Sequence, residues 1–194
     1  MTSANISVKD PDSKIRAEPD KFKVAARTFA QALIKHPVSG QGLPTYGTNI
    51  LVNILNEAGG LPTRNFTAGQ FEFHDNISGE AMHDLIVARG GKPKHGCHAG
   101  CIIQCSQVYP DKEGKYLTSG FEYETIWGMG ADCCVSDLDD IATADSIMDD
   151  IGIDSIETVV MFGVAMEAGI PPGVAHGYKI VGTEAGLLVY ATNR

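Results

Sequence analysis

Three of the five cysteines in this chain fall within GCHAGCIIQC, residues 96–105. Their spacing is Cys97-x3-Cys101-x3-Cys105. On a loop leading into a helical turn, residues four apart face the same side, so three thiolates can converge on one centre. Gly96 and Gly100 let the backbone fold tightly around a bulky group. Iron–sulfur clusters are gripped by several thiolates in runs of this kind. Zinc also accepts thiolates, but its structural sites usually pair two short motifs, and no second motif is evident. The bland alternative is a set of small apolar core residues. His95 and His98 lie beside the thiols and read as exposed loop histidines, with ligation or hydrogen bonding as the alternatives. Cys133 and Cys134 are the only other thiols. Adjacent side chains diverge, so at most one of them joins the set as a fourth ligand; ordinary buried cysteines near a helix start is the simpler reading.

Carboxylates make two further constellations. MDDIGID sets Asp149, Gly152 and Asp154 in a D-x-x-G-x-D arrangement at a helix–helix break. Carboxylates at a turn accept hydrogen bonds from the N–H groups of a ligand, and Gly152 permits close approach. Acidic residues at a helix start are also expected from the macrodipole alone. FEYET places Glu122 and Glu124 among aromatic residues. A carboxylate in an apolar setting has a raised pKa and suits proton transfer, whereas a surface glutamate is merely solvated.

The elements that must position these groups are mostly helices. The lead-in, residues 1–19, is polar. A helix is expected from about Asp20, with Phe22, Ala25, Ala26, Phe29, Leu33 and Ile34 at helical spacing, ending at Pro37 and Gly40. A second is expected over about Thr48 to Ala58, and a third over Ser78 to Ala88 with Ser78 as its cap. The cysteine loop follows. Periodicity leaves FEYETIWGMG open between strand and short helix. Ser136 or Asp137 caps the next helix through about Ile151, with Leu138, Ile141, Ala144 and Met148 on one face. Asp154 or Ser155 opens another that ends near Gly169, before Pro171 and Pro172. LLVYA in the last residues is compatible with a short strand. The expected fold is mainly α: a lead-in over 1–19, a multihelical domain over 20–170 and a tail over 171–194.

The 194 residues carry a net charge of -9 and are 43% hydrophobic, a globular composition. The acidic balance argues against a nucleic-acid partner, whose phosphates call for clustered Lys and Arg. An anionic cofactor remains compatible with it. No run of residues reads as a membrane span or a secretory signal. A cytoplasmic location is therefore expected, where thiols stay reduced and clustered cysteines point to metal or redox chemistry.

Taken in order, GGLPTRNF (Gly59 to Phe66), the clustered cysteines, FEYETIWGMG and MDDIGIDSIET resemble the aldehyde ferredoxin oxidoreductases over about Asp20 to Ile170. These are tungsten- or molybdenum-bis-pterin enzymes with multihelical middle and C-terminal regions. The resemblance implies that Cys97, Cys101 and Cys105 bind three irons of a 4Fe-4S cluster, at a wider first spacing than many members use. It implies that Asp149, Gly152, Ile153 and Asp154 hydrogen-bond one pterin, with Ile153 in place of the usual leucine. Glu124 matches a glutamate implied to handle protons near the metal. Arg64 and Asn65 fall in a segment implied to lie near the cofactor.

The family's N-terminal β-rich cofactor domain, its second D-x-x-G motif and the fourth cluster cysteine have no counterpart here. Residues 171–194 do not continue the family pattern. The chain therefore reads as a central fragment or split subunit of an enzyme that oxidises aldehydes to carboxylic acids and passes electrons through the cluster to ferredoxin. A separate chain would then supply the missing domain. The alternative is a non-catalytic iron–sulfur electron-transfer or assembly subunit that docks to a catalytic chain. A structural zinc domain using His98 or Cys134 is a third reading.

Overall fold

The computed structural model describes residues 18–169, together with the backbone of strand residues 174–175, 178–183 and 186–191. The fold is mainly α, as expected. Helix α1 spans Pro19–Lys35 and starts with proline in its first turn, where the missing N–H costs nothing. It buries no side chain, and Val24, Phe29 and Ile34 are exposed. A π-helical turn, Val38–Gly42, leads into the short α2, Leu43–Tyr46. The second expected helix divides into a 3-10 turn, Thr48–Ile50, and α3, Leu51–Glu57. Helix α4, Gly79–Ala88, has the expected cap: Ser78 Oγ accepts the Ala81 N–H at 3.1 Å.

A three-stranded antiparallel sheet follows that the helical reading did not anticipate. It is formed by β1 Lys92–His95, β2 Ser106–Pro110 and β3 Tyr116–Ser119 in the order β1-β2-β3. The strands are only four or five residues long. Too short to show a clear alternation, they draw their stability from packing. Tyr109 is fully buried against Phe121, with ring centroids 5.1 Å apart. Its hydroxyl donates to Asp139 Oδ1 at 2.8 Å, and Arg89 Nη2 donates to Asp139 Oδ2 at 2.9 Å. The guanidinium holds the Asp139 carboxyl below its ordinary range. This half-buried network ties the end of α4, the middle strand and the first turn of the next long helix.

FEYETIWGMG resolves as a helix: α5, Tyr123–Trp127, continued by a π-helical turn, Gly128–Asp132. Asp137 caps α6, Leu138–Ile151, by accepting the Asp139 N–H at 2.7 Å. Asp154 caps α7, Ser155–Glu167, by accepting the Glu157 N–H at 2.9 Å. Beyond it, β4 Val174–Ala175, β5 Tyr178–Thr183 and β6 Gly186–Ala191 pair in order as antiparallel strands, and LLVYA lies in β6. Residues 1–17 of the expected lead-in lie outside the described residues, and its last two, Glu18 and Pro19, are the cap and first residue of α1. One core joins α3 to α7 and the first sheet through Val52, Ile86, Phe121, Ile126, Ile141 and Val159, all fully buried. Each such side chain contributes about 1.5–3 kcal/mol. Among the described residues no helix is long and apolar enough to cross a membrane.

Candidate functional site

The cysteine run is the connection between antiparallel β1 and β2, with His95 opposite Ser106. It does not lead into a helical turn, and the expected four-residue helical spacing is not what brings thiols together. A tight turn does that instead. The Cys101 N–H donates to the His98 carbonyl at 3.3 Å, and Gly100, third in that turn, has φ +82°. A positive φ at this position favours glycine. The turn folds Cys101 back onto Cys97 and His98, so the two Sγ atoms and a His98 ring nitrogen all lie within 4.8 Å of one another. Cys101 Sγ accepts the Gln104 N–H at 3.4 Å. That contact, with a second from Ile103, lowers the Cys101 thiol pKa. Cys105 sits half-buried next to β2. Burial pushes its thiol up, and the Glu122 carboxylate adds to the shift. His98 is exposed, as expected, but stands with the thiols rather than apart from them.

Glu122 and Glu124 part company at the start of α5. Glu124 is exposed on the first turn. Glu122 is half-buried; its Oε2 accepts the Thr48 hydroxyl at 2.6 Å, and burial raises its pKa. The desolvated carboxylate of the pair is thus Glu122, and the Thr48 hydroxyl, far away in sequence, partly offsets its burial. Asp145, which sequence reasoning passed over, is 5% exposed on the core face of α6. It accepts the Thr118 hydroxyl at 2.6 Å and is raised to about 6, chiefly by burial, with Asp149 and Glu122 adding to the shift. Its signal was legible: Leu138, Ile141, Asp145 and Met148 share one helical face, so a carboxylate stood in an apolar stripe.

The D-x-x-G-x-D motif is the α6–α7 turn. Gly152 ends α6 in the left-handed region, at φ 72° and ψ 38°, and the Ile153 N–H donates to the Met148 carbonyl at 3.1 Å. Asp154 is committed to capping α7 through one carboxylate oxygen. Asp149, Ile153 and Asp154 are exposed, and open space surrounds Gly152. Among the described residues the Asp149 carboxylate makes no hydrogen bond. Thr125 Oγ1 and Ser155 Oγ, 3.0 Å apart, tie α5 to the start of α7. Cysteine loop, Glu122, Glu124, Asp145 and the motif therefore adjoin one another around the first turns of α5 and α7.

Arg64 and Asn65 lie elsewhere. Asn65 Nδ2 donates to Glu167 at the last residue of α7, roughly 18 Å along the helix axis from Ser155. Arg64, Asn65 and Phe66 have φ of 49°, 52° and 60°, three successive left-handed residues without a glycine. The strained loop is pinned by the Arg64 N–H on the Ala131 carbonyl at 3.2 Å and the Phe66 N–H on Asp132 Oδ1 at 3.1 Å. A cavity of about 260 Å³ opens here, lined by Arg64, Asn65, Asp132, Cys134 and Gly163 among others. Asp132 is 2% exposed, and burial raises its pKa; among the described residues its Oδ2 has no hydrogen-bond partner. Cys133 is fully buried, with Sγ donating to the Val159 carbonyl at 3.4 Å. Cys134 is half-buried, and burial pushes its thiol up. Neither stands with the loop thiols.

A family model described as "Aldehyde ferredoxin oxidoreductase, domains 2 & 3" matches residues 24–171. A tungsten-containing aldehyde ferredoxin oxidoreductase of Pyrococcus abyssi is 43% identical over 152 residues. The proteins of that name from Thermococcus kodakarensis and Pyrococcus horikoshii are 41% identical over 151 and 42% over 152 residues. In each case the match covers 78% of this chain and 24% of the relative, so the chain spans about a quarter of the length of these relatives. Motif order, fold and similarity agree that the chain belongs to the aldehyde ferredoxin oxidoreductase family.

Proposed function

We propose that this chain is the cluster-binding and cofactor-contacting part of an oxidoreductase that converts aldehydes to carboxylic acids. The overall change consumes the aldehyde and one water and releases the acid, two protons and two electrons; ferredoxin takes the electrons one at a time. The observation that carries this reading is the adjacency of the thiol-bearing loop, the α5 carboxylates and the α6–α7 motif. The donor sets fit the groups the family implies. Cys97, Cys101 and Cys105 are thiols on one loop, suited to three irons of a 4Fe-4S cluster. Asp149 and Asp154 offer exposed carboxylate oxygens, and Gly152 leaves room for a flat ring to approach.

When bound, a tungsten- or molybdenum-bis-pterin group supplies the oxygen-atom and two-electron chemistry. Asp149, Gly152, Ile153 and Asp154 hold and orient it by accepting N–H groups. Glu124, exposed on α5, takes up a proton released by the oxidation. Glu122, desolvated beside it, holds its proton more tightly than a solvated glutamate does, and its charge adds to the upward shift of Cys105. Arg64 and Asn65, at the far end of α7, steady the loop that backs this helix; a direct role toward a pterin would need a second contact region there. Exposed Ile153, Ile156, Met161 and Val164 on and before α7 favour coverage by further polypeptide, supplied by a separate chain or by more of the same protein. The same surface also suits the alternative of a non-catalytic electron-transfer subunit.

Anaerobic metal analysis with EPR after dithionite tests the reading. About four irons per chain with a reduced-cluster signal, lost in Cys101→Ser, is the expected result. No iron in the unmodified chain after reconstitution sinks it. Tungsten or molybdenum retained with aldehyde-dependent dye reduction favours the enzyme over the electron-transfer subunit.

A further inference from the structure

The loop between β1 and β2 holds more than the three cysteines. Among the described residues, Cys97, His98 and Cys101 are the group whose ligand atoms converge, all within 4.8 Å of one another. A tetrahedral ion with bonds of about 2.3 Å to sulfur and 2.0–2.1 Å to nitrogen sets its ligands roughly 3.3–3.8 Å apart. The loop therefore needs to tighten by only about an ångström to close on a single ion. A four-iron cube makes a different demand, because each ligand must reach a different corner. Cys105 stands outside the converged group and is half-buried beside β2.

The hydrogen bond made by His98 leaves one of its ring nitrogens open to a metal. His98 Nδ1 lies 2.8 Å from the Ala99 carbonyl oxygen. A carbonyl only accepts, so Nδ1 carries the proton and Nε2 keeps its lone pair. Metal-bound histidines are held in this way, with the second ring N–H donated to a carbonyl or carboxylate. The turn closed by the Cys101 N–H on the His98 carbonyl fixes the spacing, and Gly100 makes that turn possible. Gln104 directs its N–H at Cys101 Sγ, a contact that suits a metal-bound thiolate.

We propose that Cys97, His98 and Cys101 form a site for one thiophilic divalent cation of the zinc type, with water in the fourth position. Binding displaces the two thiol protons and leaves a neutral centre. This site shares two thiols with the proposed cluster and does not depend on it. A chain carrying the single ion is closed to cluster assembly until the ion leaves, so the loop has two mutually exclusive occupants, told apart by His98 on one side and Cys105 on the other.

The test uses Co2+ as a spectroscopic stand-in for zinc, titrated anaerobically into the reduced, metal-free chain. One cobalt per chain is expected, with tetrahedral d–d bands and sulfur-to-cobalt charge transfer. His98→Ala should weaken binding by at least about 10-fold, His98→Cys should restore it with added charge-transfer intensity, and Cys105→Ser should leave it unchanged. Iron reconstitution of the same variants should show the reverse dependence, failing in Cys105→Ser and succeeding in His98→Ala. Octahedral cobalt, equal binding by His98→Ala, or loss of cobalt binding in Cys105→Ser overturns the proposal. Cobalt binding that depends on His98, in a chain that takes no four-iron cluster, supports the proposal and removes the cluster reading instead.

Discussion

At the N-terminal end of α7, Asp149, Ile153 and Asp154 stand exposed around a glycine with open space beside it, and the thiols nearby lie on a surface loop. At the C-terminal end the same residue types are closed in. Asp132 and Cys133 are buried, and a strained loop is pinned over them by backbone contacts. Gly163 is a close-approach position there, where a Cβ would come within 2.5 Å of Asp132 Oδ2; on the buried side of α7, nearer its start, a Cβ on Gly128 would come within 2.2 Å of Val159 Cγ2. One end leaves its carboxylates open to solvent, while at the other Asn65 and Cys133 bond α7 and Asp132 bonds the loop. A cysteine or an aspartate is not a site by its type; its surroundings decide.

The largest effect that sharpens this contrast is on the buried side of α7. Gly128→Val forces a branched side chain into Val159 and should cost about 3 kcal/mol, read as a lowered urea midpoint. A midpoint like that of the parent chain would mean that the contact between α5 and α7 is loose. Next is Asp145, between the two regimes. Its folded pKa of about 6 lies above the ordinary 3.8, so the folded chain binds its proton more tightly than the unfolded chain does. Stability from this group is full below about pH 4, falls as pH rises through about 6 and is level above. Asp145→Asn keeps an acceptor for Thr118. It should flatten that slope and stabilise the chain at pH 7 by on the order of 2 kcal/mol; an unchanged pH profile would argue against a desolvated acid here.

Thiol reactivity divides the five cysteines without any mutation. In the metal-free native chain, iodoacetamide should label Cys101 first and at lower pH than Cys105, since backbone N–H groups lower the one and burial raises the other. Cys133 should stay unlabelled until the chain unfolds; early labelling there, followed by mass spectrometry of peptides, would show the closed end to be open. The smallest effect is Asp149→Ala, expected within about 0.5 kcal/mol of the parent because the carboxylate is exposed and makes no hydrogen bond among the described residues. A larger loss would give Asp149 a structural duty in place of a ligand-binding one.

Much of this was legible in the linear chain. Caps and breakers work through neighbours in sequence. Ser78, Asp137, Asp154 and Gly152 therefore announced their helix ends, and the spacing of the thiols set three of them on one loop. The hairpin around the cysteine loop was not legible, because its strands are too short for a period and are held by the Tyr109–Asp139–Arg89 network between distant elements. The choice between Glu122 and Glu124 was hidden for a similar reason: the first is half-buried in the fold and hydrogen-bonded by Thr48 from 74 residues away. His98 is the surface residue it was read as, but its place beside two thiols was hidden because only the turn at Gly100 brings it there. The sequence alone determined which groups were available and where α4, α6 and α7 begin and end, since those depend on local spacing and capping. Tertiary structure alone decided which carboxylate is desolvated, which thiols converge and which end of α7 stays open, because burial and convergence are set by residues that meet only when the chain has folded.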